Sequence, residues 1–229
     1  MNFDYTYIIL FGLKIFEPVT ILTNAFITIF CFYAFFKIKT FKGILAKEWA
    51  IFFLLIGLSS SVGSIAHGAH YQLGKLFVNV IIFLMNAISL VAIYFCFKAA
   101  TTFLQLNKKQ LNPYVNYAVI AWIVVLLIFT FVYNKFLIIK IHAGIVLTYS
   151  IIVHYITYLN KKEGSGWIAF GILISFSSIA VHSLKLSVSD WFNYKDISHL
   201  IMLTSTIFMV KGALLKLKSL ETGNLNLKV

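Results

Sequence analysis

Long apolar runs alternate with short polar clusters along almost the whole chain, and this alternation predicts its elements. One transmembrane helix needs about 20 apolar residues. Seven runs come close to that length, and the polar clusters between them are short enough to be loops. The predicted helices span 17–37, 49–69, 76–98, 114–133, 138–159, 165–186 and 197–216. The pattern predicts an all-α fold, in which residues 1–229 form one polytopic domain, a seven-transmembrane helix bundle.

The two ends of the chain are predicted to lie outside this bundle. Segment 5–15 is apolar but too short to cross a bilayer. Residues 1–16 are therefore expected to form a short interfacial segment or to pack on the rim of the bundle. Residues 217–229 are more polar and are expected to form a cytoplasmic tail.

The composition agrees with a membrane domain and excludes other classes of protein. The chain has 229 residues, of which 61% are hydrophobic and 11% charged, and its mean hydropathy is +0.92. Soluble domains carry about 25% charged residues, so a water-soluble protein is excluded, as is a disordered one. Cys31 and Cys96 lie in or beside apolar runs. Two isolated thiols form no disulfide framework or metal motif, so both are interpreted as core residues.

The positive charge indicates topology rather than nucleic-acid binding. The formal net charge is +12, and all 19 basic residues are Lys. Without Arg the chain cannot make bidentate contacts to guanine or phosphate, so nucleic acid is not an expected partner. With the N-terminus outside, thirteen lysines fall on the cytoplasmic side and six on the other, which favours that orientation. The abundance of Ile, Phe, Asn and Lys suggests an AT-rich bacterial source and hence the bacterial inner membrane.

Most of the histidines are predicted to lie in one layer, near the outer ends of the helices. Three of the seven acidic residues fall in the same layer. The histidines are His67, His70, His142, His182 and His199, and the acidic residues are Glu17, Asp190 and Asp196. Ionisable residues inside membrane spans are costly and usually mark a site with a partner. The competing interpretation is that they are ordinary polar residues of the headgroup zone.

Two pairs in this layer have a spacing that suits a metal site. His67-x-x-His70 and Asp196-x-x-His199 each place two polar side chains on one helical face. Imidazole and carboxylate are usual ligands of catalytic Zn²⁺, which keeps three protein ligands and an open position for water. The pKa of that water falls to about 7, which makes it a nucleophile at neutral pH. Taken alone, the Asp196 pair also fits a capping carboxylate followed by an incidental histidine.

The small polar residues nearby have a packing interpretation beside the functional one. Ser64 lies one turn before His67. It either belongs to a small-residue packing surface or donates a hydrogen bond in the site. Thr23 and Asn24 are interpreted as interhelical hydrogen-bonding residues rather than as ligands.

Three patches of sequence resemble the CREST superfamily of seven-helix membrane proteins, which includes the alkaline ceramidases and the progestin/adipoQ receptors. Glu17-Pro-Val-Thr-Ile-Leu-Thr-Asn24 is similar to the family's glutamate and asparagine at the start of helix 1. Gly63-Ser-Ile-Ala-His67 is similar to its serine-then-histidine motif, and Asp196-Ile-Ser-His199-Leu to its paired histidines in helix 7. Order and helix number fit over the whole seven-helix plan.

The resemblance implies a zinc ion held by His67 and His199, with Ser64 assisting as a hydrogen-bond donor. Asp196, His70 or His182 would be the third ligand. The chain departs from the family at three places. The family's serine precedes its histidine by four residues, whereas Ser64 precedes His67 by three. The second helix 7 histidine is replaced by Lys195, four residues before His199, and the helix 3 aspartate is absent, since Val78 and Asn79 stand there. Asp196 or Glu17 would then have to accept the proton.

Three functions compete on these observations. The first is a metal-dependent hydrolase that cleaves an amide or ester bond of a membrane lipid with zinc-activated water. The second is a non-enzymatic membrane protein, receptor-like or structural, that keeps a vestigial or structural metal site. The missing helix 3 aspartate favours this second function. The third is haem binding, in which His67 and either His182 or His199 would be axial ligands.

Overall fold

The computed structural model describes residues 6–106 and 113–226 as two short strands followed by seven helices. In chain order these elements are β1 Tyr7–Leu10, β2 Leu13–Phe16, α1 Pro18–Ile38, α2 Ile44–Gly68, α3 His70–Gln105, α4 Pro113–Tyr133, α5 Phe136–Leu159, α6 Ser165–Leu184 and α7 Tyr194–Asn226. All seven predicted helices are present.

Within the described residues, six helices are long and apolar enough to cross a membrane: α1, α2, α3, α5, α6 and α7. The described side chains of α4 give a shorter apolar helix over Tyr117–Tyr133. This architecture fits an all-α helical membrane protein. A membrane crossing by α4 and the orientation of the bundle stay predictions.

Six helices form a ring in the order α1, α2, α3, α5, α6, α7, with α7 returning to α1. Helix α4 lies outside this ring, where it packs on α3 and to a smaller extent on α5. It is attached through a single stripe, because Ile123, Leu126 and Thr130 are buried while most of its other side chains are exposed. A three- or four-residue spacing places those three side chains on one helical face.

The ring has two ends that carry different chemistry. At the end that carries strands β1 and β2, which we call the hairpin end, β2 leads into α1, α2 ends and α7 begins. At the opposite end, which we call the lysine-rich end, α1 ends, α2 begins and a short turn connects α5 to α6. Cys31 and Cys96 are free and buried in the core between these ends, as predicted from their apolar surroundings.

The N-terminal segment, for which the sequence predicts no membrane span, forms the two strands. Strands β1 and β2 pair antiparallel, with Tyr7 opposite Phe16 and Leu10 opposite Leu13. Phe11 and Gly12 form the two-residue connection, both at positive φ (52° and 78°), as favoured hairpin turns require. The hairpin fixes the entry to α1, because the Glu17 N–H donates to the carbonyl of Thr6 at 2.8 Å.

The helix ends also differ from the predicted bounds. Helix α7 continues to Asn226, so the proposed tail 217–229 is helical over its described part rather than a separate solvated segment. Helix α2 begins at Ile44 rather than at 49. Helix α3 begins at His70 but has a non-helical break at Gly74, where φ is 72°.

Helices α6 and α7 approach each other through glycine. A Cβ atom on Gly171 would lie 2.7 Å from the carbonyl oxygen of Ser205, and one on Gly212 would lie 2.5 Å from that of Gly164. Small residues permit such close approach between membrane helices. As a result, α6 packs more extensively on α7 than on its other neighbour, α5.

Candidate functional site

One carboxylate, Glu17, joins three segments at the hairpin end. The residue precedes Pro18 at the start of α1 and has left-handed backbone geometry, with φ 45° and ψ 54°. Its side chain is 6% exposed. Glu17 Oε2 lies 2.5 Å from Nδ1 of His67 at the end of α2, and Oε1 accepts a hydrogen bond from Nζ of Lys195 at the start of α7.

The neighbours of Glu17 keep it ionised. Burial opposes the charged form, but the interactions with His67 and Lys195 outweigh burial and lower the pKa of Glu17 to about 2. Glu17 is therefore an anion at neutral pH, and it faces a lysine ammonium and an imidazole.

His199 lies beside His67 in this cluster. It follows Lys195 by four residues, so both side chains lie on the same face of α7. The rings of His67 and His199 are 6.4 Å apart between centroids, with an interplanar angle of 72°. His199 Nδ1 lies 3.1 Å from Oγ1 of Thr23 in α1, so Thr23 makes the interhelical hydrogen bond that was predicted for it.

Asp196 is fully buried and acts at the junction of α1 with α7. Its Oδ1 accepts a hydrogen bond from Thr20 Oγ1 at 2.6 Å, and its Oδ2 accepts one from the backbone N–H of Asn193 at 2.7 Å. Asn193 Oδ1 in turn accepts from the N–H of Lys195 at 2.9 Å. These bonds form a variant of the capping box at the start of α7, in which the Asn193 side chain accepts from the second helical N–H rather than the third. Both carboxylate oxygens of Asp196 therefore have structural partners.

The other predicted site residues have packing partners or lie outside the described part. The Ser64 hydroxyl donates to the carbonyls of Ser60 and Ile21, at 3.2 and 3.4 Å. The bond to Ile21 connects α2 to α1. His182 lies between Phe136 and Tyr194, with ring centroids 5.3 and 5.0 Å away. The side chain of His70 is outside the described residues.

The described residues do not complete a zinc site. Among them, no three side chains of His, Cys, Asp or Glu form a group that could hold a metal ion. His67 and His199 are two donors of the right type. Asp196 has both oxygens engaged, and Glu17 is shared between His67 and an ammonium group. A third donor would have to come from a rearranged His182 or from His70.

Sequence reasoning missed Lys195 as a member of the site. The lysine distribution places it only among the six lysines of the outer side, and the family pattern marks it only as a departure. Two signals mark it in the sequence: it lies on the side with few lysines, and it is four residues before His199. Thr20 was missed as well, since a threonine inside an apolar helix carries no distinctive signal.

The fold and this site define a helical membrane protein with a buried polar cluster at one end of its bundle. The family model of DUF6962, a family of unknown function, matches residues 19–218, and the chain belongs to that family. No curated protein and no solved structure matches the chain.

Proposed function

We propose that this chain is a non-enzymatic seven-helix membrane protein, receptor-like or structural, in which Lys195 supplies the positive charge that a metal ion would otherwise supply. The observation that carries this proposal is the contact of Lys195 Nζ with Glu17, whose other oxygen holds His67. The resemblance noted in the sequence expects a histidine ligand at position 195. A lysine ammonium at that position is a cation and not a ligand.

Charge balance supports this proposal. Glu17 is anionic and Lys195 cationic, so the pair is neutral without any added ion. A divalent cation at the same place would lie beside the ammonium and would be repelled by it, most strongly where water is scarce. The carboxylate of Asp196 does not offset that repulsion freely, because Thr20 and the capping box already use it.

In this function the cluster connects α1, α2 and α7 at one end of the bundle. Side chains from all three segments meet on Glu17 or beside it, and Thr20 and Thr23 add two further contacts between α1 and α7. A ligand or proton that alters this cluster would alter how the three segments pack. That is the structural requirement for a receptor-like protein.

A gain-of-metal experiment tests the proposal. Lys195→His adds the missing histidine four residues before His199 and removes the ammonium. Lys185→His adds a histidine at an exposed position at the same end of the bundle and is the matched control. Zinc content is measured in purified protein by mass spectrometry. We expect stoichiometric zinc in Lys195→His only. Stoichiometric zinc in the wild type that is lost in His199→Ala would reject the proposal.

A second function, the zinc-dependent lipid hydrolase, is favoured by one specific observation. The Nδ1 atoms of His67 and His199 are both engaged, by Glu17 and Thr23, and metal-binding histidines are usually oriented through their second nitrogen in this way. His67 and His199 would hold the zinc with His182, His70 or Asp196. The metal would activate water against an amide or ester bond of a lipid.

Release of fatty acid from a lipid extract tests the hydrolase function. The purified wild type, His67→Ala and Lys185→His are incubated with a bacterial lipid extract, and the released fatty acid is measured by mass spectrometry. The hydrolase predicts release by the wild type and Lys185→His and a large loss in His67→Ala. Equal release by all three proteins rejects it and leaves the non-enzymatic function.

A further inference from the structure

An open groove runs between α5 and α6 at the lysine-rich end, away from the cluster around Glu17. Its volume is about 1240 Å³. The walls are apolar and aromatic, with Ile151 and Tyr155 on α5 and Trp167 and Phe170 on α6, and α7 contributes Leu215. Tyr155, Trp167 and Phe170 are also partly open to the surroundings, with 57%, 37% and 47% of their surface exposed.

The groove has an identifiable origin in helix packing. The glycine contacts described above hold α6 close to α7, since a Cβ atom on Gly212 would lie only 2.5 Å from the carbonyl oxygen of Gly164. Between α5 and α6 the close glycine approach is to a side chain rather than to backbone, because a Cβ atom on Gly166 would lie 3.0 Å from the Tyr158 ring. Near the turn between them, two of the α6 residues that line the groove are small, Gly166 and Ala169. Space therefore remains between α5 and α6.

The depth of the groove matches one membrane leaflet. Its lining extends on α5 from Leu159 back to Ile151, and on α6 as far as Leu173. At 1.5 Å per residue, each wall is roughly 12 Å long. Half of a hydrocarbon core of about 30 Å is roughly 15 Å. A groove of this length admits an acyl chain from one leaflet.

The mouth of the groove carries positive charge. Lys161 and Lys162 line it together with Glu163, and Lys211 Nζ lies 3.5 Å from the centroid of the Trp167 ring. The turn that presents the two lysines is a defined helix cap. Lys162 N–H donates to the carbonyl of Thr157, Lys161 N–H donates to that of Tyr158, and Lys161 has φ 54°, which is a Schellman motif.

We propose that this groove binds an anionic phospholipid. One acyl chain lies along the aromatic walls between α5 and α6, and the phosphate lies at the mouth beside Lys161 and Lys162. Basic pockets between membrane helices are suited to acidic headgroups. The single carboxylate of Glu163 leaves the mouth net positive, so an anionic lipid is preferred over a zwitterionic one. This proposal does not depend on the function of the Glu17 cluster, which lies at the other end of the bundle.

Lipid titration of the purified protein tests the proposal. The protein in detergent is titrated with phosphatidylglycerol or with phosphatidylcholine of the same acyl chains, and bound lipid is counted by native mass spectrometry. We expect one tightly bound phosphatidylglycerol per chain in the wild type. Lys161→Ser/Lys162→Ser should weaken it about thirtyfold, from a factor of about five to six per lysine.

Two further variants separate charge from shape. Lys42→Ser/Lys47→Ser removes two exposed lysines at the same end but outside the groove, and it should leave binding unchanged. Ala169→Trp narrows the groove while keeping both lysines, and it should abolish the bound lipid. Equal binding of the two lipids by the wild type overturns the proposal. Retention of phosphatidylglycerol by the Lys161→Ser/Lys162→Ser variant also overturns it. Protein dimers observed in place of lipid adducts would overturn it as well.

Discussion

Glu17 and His67 are fifty positions apart in the chain, yet Oε2 of the first lies 2.5 Å from Nδ1 of the second. The contact closes α1 onto α2 at the hairpin end. Lys195 adds α7 to the same carboxylate. A single buried anion therefore connects the first, second and last helices of the bundle.

Glu17→Gln should destabilise the protein by about 2–3 kcal/mol, because it removes the carboxylate charge that faces the Lys195 ammonium in a mostly buried place. The melting temperature should fall by roughly 5–10 °C, measured by tryptophan fluorescence in detergent. Glu221→Gln removes an exposed carboxylate and should change little. The double variant Glu17→Gln/Lys195→Met removes both charges and should recover most of the loss. Equal melting temperatures for Glu17→Gln and Glu221→Gln would contradict the role assigned to Glu17.

The low pKa of Glu17 predicts an acid limit to stability. A carboxylate whose folded-state pKa is about 2, below its ordinary value of 4.5, stabilises the fold fully above pH 4.5. That contribution is lost as the pH falls from 4.5 toward 2. The difference in melting temperature between the wild type and Glu17→Gln should therefore stay constant from pH 7 to about pH 5 and narrow as the pH falls toward 3. A constant difference between the two proteins across this range would show that the charge of Glu17 is not what stabilises the fold.

Thr20→Val should cost about 1–3 kcal/mol, because it leaves Oδ1 of the buried Asp196 without its hydrogen-bond donor while preserving the shape of the side chain. Thr28→Val is the matched control on the same helix. Its hydroxyl makes a longer bond of 3.4 Å to the carbonyl of Gly57. Chemical unfolding of both variants measures the difference. If Thr28→Val were the more damaging variant, the Thr20–Asp196 contact would not be an important link between α1 and α7.

The number and order of the helices could be predicted from the sequence because each buried span is a long apolar run. Their ends could not. Helix α7 continues past 216, and Lys216, the last residue of the predicted span, is 6% exposed, with its Nζ 5.1 Å from the Phe103 ring centroid. A long lysine stem can pack on apolar surface, but lysine lowers the hydropathy by which a span is recognised.

The candidate site could be predicted as a layer but not as a set of contacts. Helix direction alone places Glu17, His67 and His199 at the same end of the bundle. Which side chains meet depends on the rotation of each helix about its axis, and a single sequence does not specify that rotation. Asp196 illustrates the difference: its spacing from His199 suits a metal ligand, whereas its oxygens contact Thr20 and the backbone of Asn193.

The lysine distribution predicts that the hairpin end faces outward. A cysteine introduced at Trp191, in the exposed connection between α6 and α7, should react with a membrane-impermeant thiol reagent in intact cells. One introduced at Lys161, in the α5–α6 turn, should react only after the membrane is permeabilised. Cys31 and Cys96 are buried, so the wild type should give little background. Labelling at position 161 but not at 191 would reverse the orientation and place the Glu17 cluster on the cytoplasmic side.

The contact between α6 and α7 predicts opposite outcomes for two glycine substitutions. A Cβ atom on Gly212 would lie 2.5 Å from the carbonyl oxygen of Gly164 and 2.6 Å from Cγ1 of Ile168. Backbone cannot move aside cheaply, so Gly212→Ala should separate the helices and destabilise the protein by about 1–3 kcal/mol. Gly144 in α5 has no heavy atom within 4 Å of the corresponding position. Gly144→Ala should therefore be neutral or stabilising by about 0.4–1 kcal/mol, because alanine restricts the unfolded chain. Melting temperatures of the two variants give the comparison directly, and shifts of the same sign and size would mean that the close approach of α6 and α7 is not set by glycine.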